Sequence, residues 1–346
     1  MEESGNIAIH AQDLRKVYRI ATRRPGLLGG FGGLLWPKYH DIEAVQGISF
    51  EIPTGQFVGY VGPNGAGKST TVKMLAGILH PTSGTISVNG LSPQAQRQKL
   101  AWQIGVVFGQ RSQLWWDLPA VDSFEILAAM YEVPRSDYLD FMKRFSDLLG
   151  IDEFLQIPVR RLSLGQRMRA DLAAAMIHRP RVLFLDEPTI GLDVVAKSRI
   201  REFLLETNQS QGVTILLTTH DLRDIEELCK RVMVINHGRL VYDGSLSSLR
   251  DSAGLPTVLS VKYESLPLNL QAGSVIHANG AIGNLDLGWP VESIDQSTGT
   301  VRVAFDRSQS PAPSIIWAMR SFGEIKDVSL TEPLIEEIIK RLLKSE

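Results

Sequence analysis

The chain has 346 residues, 44% hydrophobic and 21% charged, with 36 basic against 38 acidic side chains and a formal net charge of −2. That length holds one large domain, or a large domain with a smaller one, and that composition is neither disordered nor fibrous. The near-neutral balance removes nonspecific electrostatic attraction as a reason to bind nucleic acid, and the single cysteine, Cys229, forms no internal disulfide.

The longest weakly polar stretch, residues 25–37, is too short and too rich in glycine for a bilayer span of about 20 apolar residues. The amino terminus, MEESGNIAIH, is acidic where a secretory signal is basic, so a cytoplasmic address is expected.

In chain order, an apolar run at residues 7–9 comes first, and residues 18–40, rich in Gly, Arg and aromatics, read as a loop. Strands are expected at 48–52 and 56–61, the second ending in a glycine-rich turn, and helical spacing resumes with Val72, Leu75, Ile78 and Leu79. Residues 182–185 and 214–217 are near-continuous apolar runs, as strands covered on both faces of a parallel sheet should be. The alternation of strand and helix points to an α/β fold with helices flanking that sheet. Residues 244–256 mark a boundary. Beyond it, strands at Thr257–Tyr263 and Thr300–Phe305 and an amphipathic helix at 333–344 predict a small α+β domain; Leu334, Ile335, Ile338, Ile339, Leu342 and Leu343 share one side of that helix.

Gly62-Pro63-Asn64-Gly65-Ala66-Gly67-Lys68-Ser69 fits G-x-x-x-x-G-K-[ST], between a strand and a helical pattern. Its glycines let backbone N–H groups wrap the β- and γ-phosphates of a nucleotide. The helix N-terminus, continuing through Thr70, adds partial positive charge, Lys68 reaches the phosphates, and the Ser69 hydroxyl can ligate Mg²⁺. A plain strand-to-helix turn is the other reading. Asp186 and Glu187 end the apolar run VLFLDE, at the sheet edge where open α/β proteins bind ligands. Asp186 is placed to hold the metal, directly or through water, and Glu187 to orient the attacking water and take its proton. Acidic residues that merely end a strand are the alternative for the pair alone.

Leu162-Ser163-Leu164-Gly165-Gln166 opens an Ala-rich segment reaching His178. Here the chain resembles the ATP-binding cassette (ABC) ATPases, whose signature is LSGGQ, with Leu164 replacing the first glycine. Physically it is a Ser-capped helix start, from which Ser163 and the Gly165 N–H can donate to a γ-phosphate. The resemblance implies that this element faces the nucleotide held by the other subunit, so that two cassettes sandwich two ATP molecules.

The same resemblance assigns Gln110, in IGVVFGQRSQLWWDL, as the Q-loop glutamine that contacts Mg²⁺ and the water. Gln113 is the alternative, because Gly109 intervenes after the aromatic. Asp193, in GLD, matches the loop that crosses the dimer, and His220, in LLTTHD, the histidine that bonds the γ-phosphate and helps hold the water. Tyr18, in LRKVY, matches the aromatic that stacks on adenine, or is a surface tyrosine; stacking tolerates other bases and does not settle ATP over GTP.

The resemblance covers about residues 7–245. It implies the P-loop NTPase fold of an ABC cassette: a RecA-like parallel-sheet core, an antiparallel β subdomain and a helical subdomain at about 111–175, all within 1–250, with the α+β accessory domain at 251–346. An insertion at about 21–40 has Arg23, Arg24 and Lys38 flanking Leu27, Leu28, Phe31, Leu34, Leu35 and Trp36. It reads either as a contact with a membrane surface or membrane subunit, or as a loop over the ATPase. Trp115 and Trp116 fall where the family receives a coupling helix of the permease. Adjacent side chains point different ways, so at least one is expected at an interface, where Trp is enriched; core packing of both is the alternative.

FGQRSQLWWDLP, LSLGQRMR, LFLDEPTIGLDV and LTTHDLRDIE are together similar to the ATPase subunits of bacterial ABC-2-type exporters, of the drug and viologen efflux kind. That implies an ATPase using ATP and Mg²⁺ on the cytoplasmic face of the inner membrane. Its partners would be a second copy of itself and separate permease subunits of one or two kinds, and not nucleic acid. An importer ATPase and a soluble ABC ATPase are the rival readings. The transported substrate is a property of the permease.

Overall fold

The computed structural model describes residues 7–22, 38–109, 111–252, 255–267, 269–277, 282–283, 288–307 and 309–344. The chain divides into two units, Met1–Leu246 and Ser247–Glu346.

The first unit runs β1 (Ile7–Thr22), β2 (Lys38–Pro53), β3 (Phe57–Val61), α1 (Lys68–Leu75), β4 (Ser83–Val88), α2 (Arg97–Ala101), β5 (Ile104–Phe108), α3 (Ala120–Met130), α4 (Arg135–Leu149), α5 (Leu164–Met176), β6 (Val182–Asp186), α6 (Val194–Gln211), β7 (Thr214–Thr218), α7 (Leu222–Leu228), β8 (Arg231–Asn236) and β9 (Arg239–Ser245). A six-stranded sheet has the order β5-β6-β7-β3-β8-β9, parallel except for β9. Every residue of β3 and β7 is buried, which is why both read as unbroken apolar runs. A second, antiparallel sheet has the order β2-β1-β4. Helices α3 to α5 occupy the stretch expected to form the helical subdomain.

The ends of the expected loop at 18–40 are strand instead. Tyr18 pairs with Ile42 and Thr22 with Lys38, so the legs of the β1–β2 hairpin run into the expected insertion. Cross-strand bonding supports them: Arg19 Nε donates to Asp41 Oδ1 at 3.1 Å. The rest of the insertion, with Arg23, Arg24, Leu27, Leu28, Phe31, Leu34, Leu35 and Trp36, lies outside the described residues. The helical spacing after the phosphate loop also stops sooner than expected. α1 ends at Leu75, and Ile78 and Leu79 lie past a turn in which the Ile78 N–H reaches back to the Lys73 carbonyl.

The second unit opens in α8 (Leu246–Ser252) and continues β10 (Thr257–Tyr263), β11 (Val275–Ile276), β12 (Ile282–Gly283), β13 (Trp289–Asp295), β14 (Thr300–Phe305), α9 (Ala312–Met319), β15 (Ile325–Thr331) and α10 (Ile335–Lys344). Its antiparallel sheet, in the order β12-β11-β13-β14-β10-β15, shares a core with α9 through Leu259, Val261, Val301, Val303, Ile315 and Met319. On α10 the inward side is narrower than the periodicity suggested. Ile335, Ile338 and Ile339 are buried, Leu342 and Leu343 are half-buried, and Leu334 is exposed ahead of the helix. Among the described residues no helix is long and apolar enough to cross a membrane.

Candidate functional site

The C-terminal ends of β3, β6 and β7 lie side by side, with Tyr60 opposite Thr218 and Thr218 opposite Asp186 in register. The chain leaves β3 into the glycine loop and enters α1. Pro63, Asn64 and Gly65 are exposed at the tip of that loop, whereas Ala66, Gly67 and Lys68 are buried at its stem. Two glycines are wedged. A Cβ on Gly62 would stand 2.2 Å from the Ile235 carbonyl oxygen, and one on Gly67 would stand 2.4 Å from that of Ala44. Only glycine lets strand β8 and the β2 leg of the hairpin press so closely on the loop.

Lys68 is almost wholly buried, and its Nζ donates to the carbonyls of Gly62 at 2.7 Å and Pro63 at 3.1 Å. Burial pulls its ammonium below the ordinary lysine range, and the Glu187 and Asp186 carboxylates oppose that. Ser69 Oγ donates to Asp186 Oδ1 at 3.0 Å, and Thr218 Oγ1 donates to the same oxygen at 2.6 Å. Thr70 lies half-buried on the first turn of α1. A hydroxyl and a carboxylate side by side are hard oxygen donors, the set that Mg²⁺ prefers, so these residues fit that ion.

Glu187 follows Asp186 in a left-handed conformation, φ 57°, and its N–H is held by the Thr218 carbonyl at 2.9 Å. Its Oε1 lies 3.6 Å from Nδ1 of His220, whose ring is half in solvent. Ser69, Asp186 and Glu187 line a cleft of about 420 Å³ together with Lys73, Ile78, Phe108, Gly109 and Arg111. Gly109 donates its N–H to the Asp186 carbonyl at 2.8 Å and so brings the segment before position 110 to this edge. Gln110 itself lies outside the described residues. Gln113, the alternative, is bound elsewhere, its Nε2 donating to the Asp171 carbonyl on α5 at 2.9 Å.

The structure therefore brings Lys68, Ser69, Asp186, Glu187 and His220 together. The remaining sequence candidates lie elsewhere on the first unit. Tyr18 is half-buried on β1, with Lys16 Nζ 5.3 Å from its ring centre. Ser163 caps α5 in a capping box with Gln166, and Gly165 follows at the second helical position. Leu164 is exposed, and its side chain lies against Gly191 of the GLD turn, 3.1 Å from where a Cβ would stand. Asp193 caps α6, accepting the Ala196 N–H at 2.8 Å. Trp115 and Trp116 are both exposed, the second with the Arg167 guanidinium 5.7 Å from its ring.

Thr218 and Asp171 are among the residues that the sequence did not single out. Thr218 shares Asp186 with Ser69. Asp171 is buried in α5 and accepts from Ser112 Oγ at 2.8 Å and the Gln113 N–H at 3.0 Å. Burial pushes its carboxyl up to about 6, against those two bonds and the Arg167 charge. A carboxylate in an otherwise Ala-rich helix was the available signal for Asp171.

Residues 45–190 match the ABC transporter family. The chain is 33% identical over 215 residues to the ABC transporter ATP-binding protein NatA of Bacillus subtilis, covering 62% of this chain and 87% of that protein. It is 27% identical over 304 residues to the daunorubicin/doxorubicin resistance ATP-binding protein DrrA of Streptomyces peucetius, covering 88% of this chain and 89% of that one. The second match is longer than the first unit, so it runs into the second. A solved structure of an ATP binding subunit of an ABC transporter has the same fold, with a TM-score of 0.60 at 24% identity over 71% of this chain and 93% of that one. The chain belongs to the ABC transporter family, as one of its ATP-binding, ATP-hydrolysing cassettes.

Proposed function

We propose that this chain is the ATP-hydrolysing subunit of an ABC-2-type membrane exporter. The observation that carries the hydrolytic part is the convergence of Lys68, Ser69, Asp186, Glu187 and His220 on one sheet edge. Similarity to a drug-resistance protein along both units supports the export part. The cassette comprises about residues 1–250, and 251–346 form an accessory domain.

Backbone N–H groups of the glycine loop and α1 bind the phosphates of ATP. Lys68 exchanges its two carbonyl partners for phosphate oxygens. The Ser69 hydroxyl and Asp186 carboxylate would hold Mg²⁺, with Gln110 completing the set; the ion supplies charge neutralisation at the phosphate oxygens. Glu187 accepts a proton from water as its oxygen attacks the γ-phosphorus and the bond to the β-phosphate oxygen breaks, leaving ADP and inorganic phosphate. His220, beside Glu187, helps hold that water and the γ-phosphate. Tyr18 stacks on the base.

In a dimer of two copies, Ser163, Leu164, Gly165 and Gln166 of each would close on the nucleotide of the other, with Asp193 crossing between them. ATP then favours the closed state because both faces touch it, and loss of the γ-phosphate removes the shared contacts. Trp115 and Trp116 would offer an aromatic surface to a separate permease, of one or two kinds, and the ATPase would work on the cytoplasmic face of the inner membrane.

Glu187→Gln tests this reading. The variant should bind ATP normally, lose more than about 99% of turnover and accumulate as an ATP-bound dimer in light scattering. Turnover at the wild-type rate would remove Glu187 as the base and the reading with it.

A further inference from the structure

The first unit buries another carboxylate, one that lies within LTTHDLRDIE and to which the sequence assigned no role. Asp224, on α7, is fully buried. Its Oδ2 accepts from Thr189 Oγ1 at 2.5 Å and from Thr219 Oγ1 at 3.3 Å, and its Oδ1 accepts from Arg201 Nε at 2.6 Å. Both threonines are themselves buried. Thr189 lies two residues after Glu187, and Thr219 directly precedes His220. One carboxylate thus fastens the segments that carry the two groups nearest the reaction.

We infer that Asp224 is a positioning residue for hydrolysis, fixing Glu187 against His220 through the hydroxyls of Thr189 and Thr219. The inference rests on the roles proposed above for Glu187 and His220.

Each half of the clamp has a physical reason. Glu187 sits at φ 57°, a conformation that a residue with a side chain keeps only where its surroundings hold it. Its N–H is pinned to Thr218 on one side, and the Thr189 hydroxyl is the side-chain anchor that follows. His220 projects half into solvent, so its position depends on its neighbours. Thr219 Oγ1 accepts the Asp221 N–H at 2.9 Å, and Lys197 Nζ lies 2.5 Å from Asp221 Oδ2. Arg201 closes the network from α6, reaching Glu227 at 3.0 Å besides Asp224. The Thr189 and Arg201 bonds to this buried carboxylate are as short as charge-assisted bonds are, and the Thr219 bond is the longer arm of the clamp.

Thr189→Val and Thr219→Val keep side-chain volume and remove the hydroxyl, Thr189→Ser and Thr219→Ser keep the hydroxyl, and Asp224→Asn removes the charge. The valine and asparagine variants should lose about tenfold or more in kcat, since small misplacements of reacting groups cost up to about a hundredfold, while KM and ATP affinity move by less than about twofold. The His220 ring resonances should shift in each of them, and the serine variants should stay near wild type. Wild-type kcat in both valine variants, serine variants as impaired as valine ones, unmoved His220 resonances, or loss of the fold in all three disabling variants would each overturn the inference. Wild-type protein and Glu187→Gln run alongside separate the two claims. A wild type without turnover, or a fully active Glu187→Gln, counts against the hydrolytic reading, whereas the His220 resonances report on the clamp without turnover.

Discussion

The helix after the phosphate loop and the helix after Ser163 both start at a segment assigned to hold phosphate, and they start differently. α1 is capped by Gly67, at φ 108° and ψ 0°, which brings no side-chain acceptor. The N–H groups of Lys68, Ser69 and Thr70 therefore have no partner within the helix and face whatever ligand the loop holds. α5 is capped by Ser163, whose hydroxyl takes the Gln166 N–H while the Gln166 side chain takes the Ser163 N–H. One end is left open by glycine, with three N–H groups free for a nucleotide; at the other the Gln166 N–H is taken within its own chain and those of Leu164 and Gly165 are left. The first therefore suits primary binding. The second, with the Leu164 and Gly165 N–H groups open beside a capping hydroxyl, is the end proposed above to meet the nucleotide of the other copy.

The largest expected effect falls on the open end. Gly62→Ala places a methyl group against the Ile235 carbonyl, a backbone atom of a central strand that has nowhere to go. ATP affinity in a fluorescent-nucleotide titration should fall by a factor of about 100 or more, of the order of 3 kcal/mol. Gly65→Ala is the matched control. Nothing lies within 4 Å of its Cβ position, and only the left-handed φ of +81° opposes the change, which costs about 1–2 kcal/mol. Equal losses from the two substitutions would show that close packing at Gly62 does not shape the loop.

This difference between the ends was half legible in the sequence. Lys68, Ser69, Asp186, Glu187 and His220 sit in contiguous patterns beside apolar runs, and such runs place strand ends without knowledge of the partners. Thr218, Asp171 and Asp224 were not legible as site residues, because each acts through partners more than 30 residues away or on another element, as Thr218 does on Asp186 and Asp171 on Ser112. The hairpin legs at 18–22 and 38–42 failed for a similar reason. Their composition is that of a loop, and only pairing across the intervening residues makes them strand. The second unit was legible in outline because β10 alternates cleanly and β14 does so over its first four residues, whereas the two-residue strands β11 and β12 carry too short a pattern to see.

A middle-sized effect concerns what the capped helix carries. Asp171 ties α5 to residues 112 and 113, and its carboxyl is raised to about 6 from 3.8, chiefly by burial. A raised carboxyl pKa means that the folded state binds the proton more tightly than the unfolded one. Its contribution to stability is therefore fully present below about pH 4 and is lost as pH rises through about 6, with about 2 kcal/mol of that loss falling between about pH 4.5 and pH 7. Asp171→Asn keeps an acceptor for Ser112 and the Gln113 N–H without the charge. Urea unfolding should show the variant gaining on wild type between pH 4.5 and pH 7, in approximate terms; a stability difference that does not change with pH would place the carboxyl in a wetter setting than α5 provides.

The smallest effect separates the two caps directly. Ser163→Ala removes the hydroxyl that takes the Gln166 N–H, and loss of such a cap costs about 1 kcal/mol, whereas Ser163→Gly costs only a few tenths because glycine accommodates the cap backbone. Ser163→Gly also turns this end into a start of the Gly67 kind. In a monomeric preparation, where the signature meets no nucleotide, thermal unfolding should rank wild type slightly above the glycine variant and clearly above the alanine variant. ATP affinity of that monomer should be unchanged in both, since the phosphate loop does not depend on Ser163. Turnover should fall in both alike, because each lacks the hydroxyl that would reach the γ-phosphate across the dimer. An alanine variant with full turnover would reduce Ser163 to a helix cap, and the contrast between the ends would then be one of folding alone.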